Sequence, residues 1–163
     1  MAGQTKIAIL MGSQSDWKVM KKACAVLDEL GVGHEEKIIS AHRKPERLGE
    51  YVSEAEQKGI AVFIAGAGLA AHLPGAIASK TTKPVLGVPM DAGSLEGMDA
   101  LLSIVQMPPG IPVGTLGIGS SGAKNAGLLA AQILAISDPD LAARLTKWRA
   151  DAAASLPEDP ERD

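Results

Sequence analysis

Cysteine is nearly absent: Cys24 stands alone, so no disulfide can form within the chain. It lies beside apolar residues at helical spacing, the setting of a buried and inert thiol. Aromatic residues are also scarce. Two Trp, one Tyr and one Phe leave too few rings for a single-strand nucleic-acid platform. There is no run of Lys or Arg and the net charge is −3, which removes the electrostatic footprint of a nucleic-acid binder. No stretch of eighteen uncharged apolar residues occurs, and Met1–Lys6 lacks the apolar segment of a secretory signal. A cytosolic protein with no nucleic-acid or membrane partner is expected.

What the chain does have is a globular balance, 46% hydrophobic and 21% charged over 163 residues, enough for one core. With 18 Gly, that core should be built of small aliphatic side chains with close backbone approaches. Residues 1–155 are read as a single domain, and the charged, proline-containing stretch Leu156–Asp163 as a frayed tail.

Apolar periodicity sets out the elements. Lys6–Gly12 reads as a strand buried on both faces. From Asp16 to Leu30, residues Val19, Met20, Ala23, Val26, Leu27 and Leu30 make one helical stripe, closed by Gly31. The alternation then repeats as strand Glu35–Ile39, helix Pro45–Lys58, strand Ala61–Ala65, helix Leu73–Lys80 and strand Val85–Val88. Helix Leu95–Val105, strand Val113–Ile118 and helix Ala123–Ile136 follow, with Gly119–Gly122 read as the loop before that helix. Asp138-Pro139 opens a last helix with Leu141, Leu145, Trp148 and Ala152 on one face. Strands alternating with helices predict an α/β fold, a parallel sheet of about five strands covered on both faces. Ligands bind such sheets beyond the carboxyl ends of the strands, which directs attention to three loops.

The first, Gly12-Ser13-Gln14-Ser15-Asp16, offers backbone N–H groups and a helix start suited to phosphate. The same residues satisfy a capping box, Ser13 to Asp16, which needs no ligand. The second loop gathers Ser40, His42 and Arg43. Arg43 can fork onto a phosphate and His42 can exchange a proton near neutral pH, although a solvated cation and a surface imidazole would also account for them. The third, Gly66–Gly75, is almost free of charge and presents glycine amides with a second histidine, His72; a plain strand-to-helix turn is the competing account. His34 is assigned to structure. Three histidines and one cysteine show no metal-binding spacing of the H-x-x-x-H or C-x-x-C kind, so no metal and no cofactor is expected.

Together these segments resemble the class I N5-carboxyaminoimidazole ribonucleotide mutases of de novo purine biosynthesis. The resemblance is carried by MGSQSDW at Met11–Trp17, SAHR at Ser40–Arg43, AGAGLAAHLPG at Ala65–Gly75 and PVLGVP at Pro84–Pro89. LLSIVQMPPGIPVGTL at Leu101–Leu116 and GAKNAGLLAAQIL at Gly122–Leu134 complete it. It implies a three-layer αβα sandwich of flavodoxin/Rossmann-like type in a homo-octamer, with the C-terminal helix against a neighbouring subunit. It also implies that Ser13, Ser15 and Arg43 hold a substrate phosphate, Asp16 the ribose hydroxyls, and Ser40 the substrate beside His42, the acid–base residue, with Gly12 among the substrate-binding residues. Gly66, Gly68 and His72 would close over the carboxylate, with carbon dioxide as the trapped intermediate. Leu69 departs from the pattern, standing where the family has another glycine; if the loop needs a positive φ there, leucine is strained.

Overall fold

A computed structural model describes residues 4–158. Its sheet has five parallel strands: β1 (Ile7–Met11), β2 (His34–Ile38), β3 (Val62–Ala67), β4 (Val85–Pro89) and β5 (Gly114–Thr115). They lie in the order β2-β1-β3-β4-β5. This is the flavodoxin-like order, whose direction reverses between β1 and β3. Strands β1, β3 and β4 are buried throughout and read as unbroken apolar runs, because helices cover both their faces. β2, at one edge, carries HEEKI and is largely exposed.

The helices are α1 (Trp17–Glu29), α2 (Pro45–Gln57), α3 (Leu73–Ala78), α4 (Met98–Val105), α5 (Gly119–Ala135) and α6 (Pro139–Ala154). A 3-10 turn, Gln14–Asp16, leads into α1. Alternate side chains along each strand enter opposite layers. Ile7, Ile9 and Met11 of β1 pack with α1 and α5, whereas Ala8 and Leu10 pack with Leu48, Tyr51 and Val52 of α2 and Ile77 of α3. The result is the expected three-layer αβα sandwich.

Three local expectations are corrected. β5 is reduced to two residues, since Gly114 and Thr115 alone pair with Leu86 and Gly87 of β4. Gly119–Gly122 forms the first turn of α5 instead of a loop. A Cβ on Gly122 would lie 1.6 Å from the Gly117 carbonyl oxygen, so only glycine lets this turn begin so close to the preceding chain. On α6, Leu141 is buried and Leu145 and Trp148 pack against the core, but Ala152 is exposed. Arg144 Nε donates to the Leu30 carbonyl at 2.9 Å and Trp148 Nε1 to Glu29 at 2.7 Å, holding α6 on its own chain. Most of the expected frayed tail, from Asp159 onward, lies outside the described residues. No helix among the described residues is long and apolar enough to cross a membrane.

Candidate functional site

The carboxyl ends of β1, β2 and β3 stand side by side, so the loops that follow them converge. They enclose an open cavity of about 400 Å³ lined by Gly12, Ser13, Ser15 and Asp16 from the first loop, and by Ser40, His42 and Arg43 from the second. Gly68 and His72 contribute from the third. Adjacent strands thereby bring the turn suited to an anion beside the imidazole and guanidinium. Gly66 does not join the lining. It lies within β3, where a Cβ would come within 2.4 Å of the Met20 sulfur, so its missing side chain serves packing beneath the loop.

Each wall is held by its own hydrogen bonds. Ser15 N–H donates to Ser13 Oγ at 3.1 Å and Ser13 N–H to Asp16 Oδ2 at 3.2 Å, which realises the capping box. Ser13 Oγ and Ser15 Oγ are 2.6 Å apart, so both hydroxyls point to one spot. The capping interactions and a ligand role are compatible, because hydroxyl groups that cap can also donate. Partial burial raises the Asp16 carboxyl above its ordinary range, opposed by hydrogen bonds from Ser13, Ser15 and Gly12. In the second loop, Arg43 N–H donates to Ser40 Oγ at 3.3 Å, tying the hydroxyl to the turn that presents His42.

His42 and His72 meet across the cavity. Nε2 of His42 lies 2.6 Å from Nδ1 of His72, with ring centroids 4.7 Å apart and planes at 87°. Two nitrogens at that distance need one proton between them. If it resides on His42 Nε2, the neutral ring leaves Nδ1 bare as a base; if it resides on His72, His42 Nδ1 bears a hydrogen and is an acid. When the outward Nδ1 takes up a proton, the bridging proton can pass to His72, leaving His42 neutral with an acidic Nδ1–H and His72 carrying the added charge.

Leu69, on the cavity rim, has φ +55, so the positive φ envisaged from the sequence is present, and the leucine occupies a region that disfavours side chains. Its Cδ2 covers Gly93, 2.5 Å from where a Cβ would be, linking the third loop to the turn after β4. That turn adds Ala92 to the lining, which sequence reasoning missed. Its only signal is position, after a strand adjacent to β3. A larger cavity of about 840 Å³ lies among Lys80–Leu86 and Gly110–Gly114, around the amino end of β4. It contains no histidine, and in parallel α/β sheets the opposite end carries ligands, so size does not decide here.

Known proteins share this fold and much of this sequence. The family model described as AIR carboxylase matches residues 6–155. The N5-carboxyaminoimidazole ribonucleotide mutase of Bacillus subtilis (strain 168) is 59% identical over 146 residues, 90% of each chain. The mutase of Escherichia coli (strain K12) is 53% identical over 156 residues, covering 96% of this chain and 92% of its own. Among solved structures, PurE of Treponema denticola superposes with a TM-score of 0.83 at 28% identity, covering 92% of both chains. A family model spanning nearly all of the described residues, relatives sharing more than half their sequence, and the same five-stranded architecture lead to one conclusion: the chain belongs to the AIR carboxylase family.

Proposed function

We propose that the protein is a mutase of purine biosynthesis that converts N5-carboxyaminoimidazole ribonucleotide into 4-carboxy-5-aminoimidazole ribonucleotide, with His42 moving the proton. The observation that carries this reading is the His42–His72 pair, 2.6 Å apart, facing hydroxyls and a guanidinium in one cavity. Its closeness to the two mutases supports the choice of reaction within the family.

The substrate phosphate is assigned to Ser13, Ser15 and Arg43, where a helix start and a planar cation favour an anion. Gly12 lets the nucleotide approach the backbone, Asp16 accepts from the ribose hydroxyls, and Ser40 orients the substrate beside His42. The carbamate C–N bond breaks, releasing carbon dioxide, and the exocyclic nitrogen gains a proton. The electron-rich ring carbon then forms a bond to the carbon dioxide, and its own hydrogen leaves to restore aromaticity. One proton lost at carbon balances one gained at nitrogen, so a single imidazole suffices, and no ATP, metal or cofactor enters the balance. Gly68 and His72 close over the carboxylate, where exclusion of water keeps carbon dioxide next to the ring.

The protein is further proposed to be cytosolic and to work as a homo-octamer in which the exposed part of α6 meets a neighbouring subunit. Replacement of the imidazole provides the decisive test. His42→Asn should lower kcat by about 10³-fold, within the range for loss of a general acid–base group, while substrate binding changes only a few-fold. Unchanged turnover in that variant defeats the mechanism; turnover of aminoimidazole ribonucleotide with carbon dioxide, and none of the carbamate, defeats the choice of reaction.

A further inference from the structure

Away from the cavity, the helix α1 and the edge strand β2 bring four potential ligands together. Cys24 and Asp28 are one helical turn apart on α1, and His34 and Glu36 share a face of β2 through its two-residue period. The Cys24 sulfur, a His34 ring nitrogen and a Glu36 carboxylate oxygen all lie within 4.8 Å of one another. None of them lines the cavity that holds His42.

The hydrogen bonding of His34 gives the cluster its direction. Its Nδ1 is 3.0 Å from the Val32 carbonyl oxygen, which can only accept, so Nδ1 must carry a hydrogen. In the neutral ring, the lone pair is then on Nε2, which points at Glu36 Oε1, 3.1 Å away, and at Asp28 Oδ1, 3.9 Å away. A lone pair facing carboxylates is repulsive unless a proton or a cation lies between them. A ring nitrogen fixed by a backbone carbonyl through its other N–H is also the arrangement that orients metal-binding imidazoles.

We infer that Cys24, His34 and Glu36 form a binding site for a zinc-class divalent cation that clamps α1 to β2. Sulfur, imidazole and carboxylate donors suit a borderline-soft ion, and Asp28 or water would complete four-coordination. The 3.1 Å separation of His34 Nε2 and Glu36 Oε1 is close to the ~3.3 Å expected for two such ligands on a tetrahedral ion. Cys24 is buried and His34 largely so, whereas Glu36 and Asp28 reach solvent and open a path for the ion. Binding exchanges the thiol proton for the cation and releases that proton to solvent. Because β2 runs directly into Ser40–Arg43, the clamp would anchor the strand that presents the second loop.

The test uses the full chain, reduced and freed of metal by chelation. Equimolar Co²⁺ should produce a sulfur-to-cobalt charge-transfer band with tetrahedral visible bands, and Zn²⁺ should erase them. Cys24→Ser should lose the charge-transfer band, and His34→Gln and Glu36→Gln should each weaken Zn²⁺ at least ~10-fold. The variant carrying both His42→Asn and His72→Asn should keep the band. Should Cys24→Ser fail to fold, the solvent-reaching Glu36→Gln decides alone. Absence of the band in the unaltered protein, its loss on removal of His42 and His72, or unchanged Zn²⁺ affinity in Glu36→Gln overturns the inference; a proton bridging His34 and Glu36 would then be the remaining account.

Discussion

Asp16 occupies two roles that pull against each other. Its carboxylate accepts from Ser13 N–H to hold the turn and is proposed to receive the ribose hydroxyls. Burial, the largest influence on it, raises its pKa in the fold above the usual value. A carboxyl raised in this way contributes stability below its ordinary range and loses it as pH climbs through the folded value, so at neutral pH the ionised group is a burden. Asp16→Asn, which keeps an acceptor for Ser13, should therefore denature at higher urea concentration than the parent at pH 7. That advantage should vanish below about pH 3.8, where the parent residue is also neutral. Its affinity for the substrate should fall roughly 10–100-fold, the equivalent of one hydrogen bond to a charged group. An Asp16→Asn midpoint no higher than the parent's at pH 7, or an advantage that persists undiminished at low pH, would contradict the assignment.

At the scale of elements, the contact between α5 and the chain before it controls how the last layer closes. Ala123, Ala126, Ala130 and Ala131 are fully buried on α5, and Gly127 would meet Val26 and Ala23 of α1 if it carried a Cβ. Small side chains let the two helices approach, and the Gly122 turn lets α5 start early enough to use them. Gly122→Ala places a carbon against a backbone oxygen that no rotamer can move. It should cost about 3 kcal/mol, at the upper end of overpacking penalties, read as a lower denaturation midpoint with an unchanged slope. The helix types and core faces were legible in the 3.6-residue stripes, as with Leu48, Tyr51, Val52 and Ala55 on α2. The boundaries of β5 and α5 were not, because Gly114–Gly122 is rich in glycine and lacks a period that separates strand, loop and first helical turn.

Across the whole molecule, Leu95, Met98, Leu102 and Val105 are 61%, 51%, 53% and 49% exposed at spacings of three, four and three residues. Four large apolar side chains exposed in one stripe on and before α4 suit the proposed octamer. Leu102→Glu should reduce the particle mass in sedimentation while leaving the far-UV circular dichroism unchanged. An unchanged mass would place the subunit contacts elsewhere.

Sequence alone determined the layer architecture, because the period of apolar residues decides whether a segment buries one stripe or both faces. It also determined the three loops, since motifs such as SAHR and AAHLPG are contiguous in the chain. Only the tertiary structure decided that His42 and His72, thirty residues apart, share a proton, that Gly66 serves packing, and that Leu69 takes a positive φ. The same holds for Cys24, His34 and Glu36, whose spacing matches no metal motif because a helix and a strand supply them separately. Local periodicity is a property of neighbouring residues, whereas these contacts exist only once the strand order β2-β1-β3-β4-β5 has brought distant segments together.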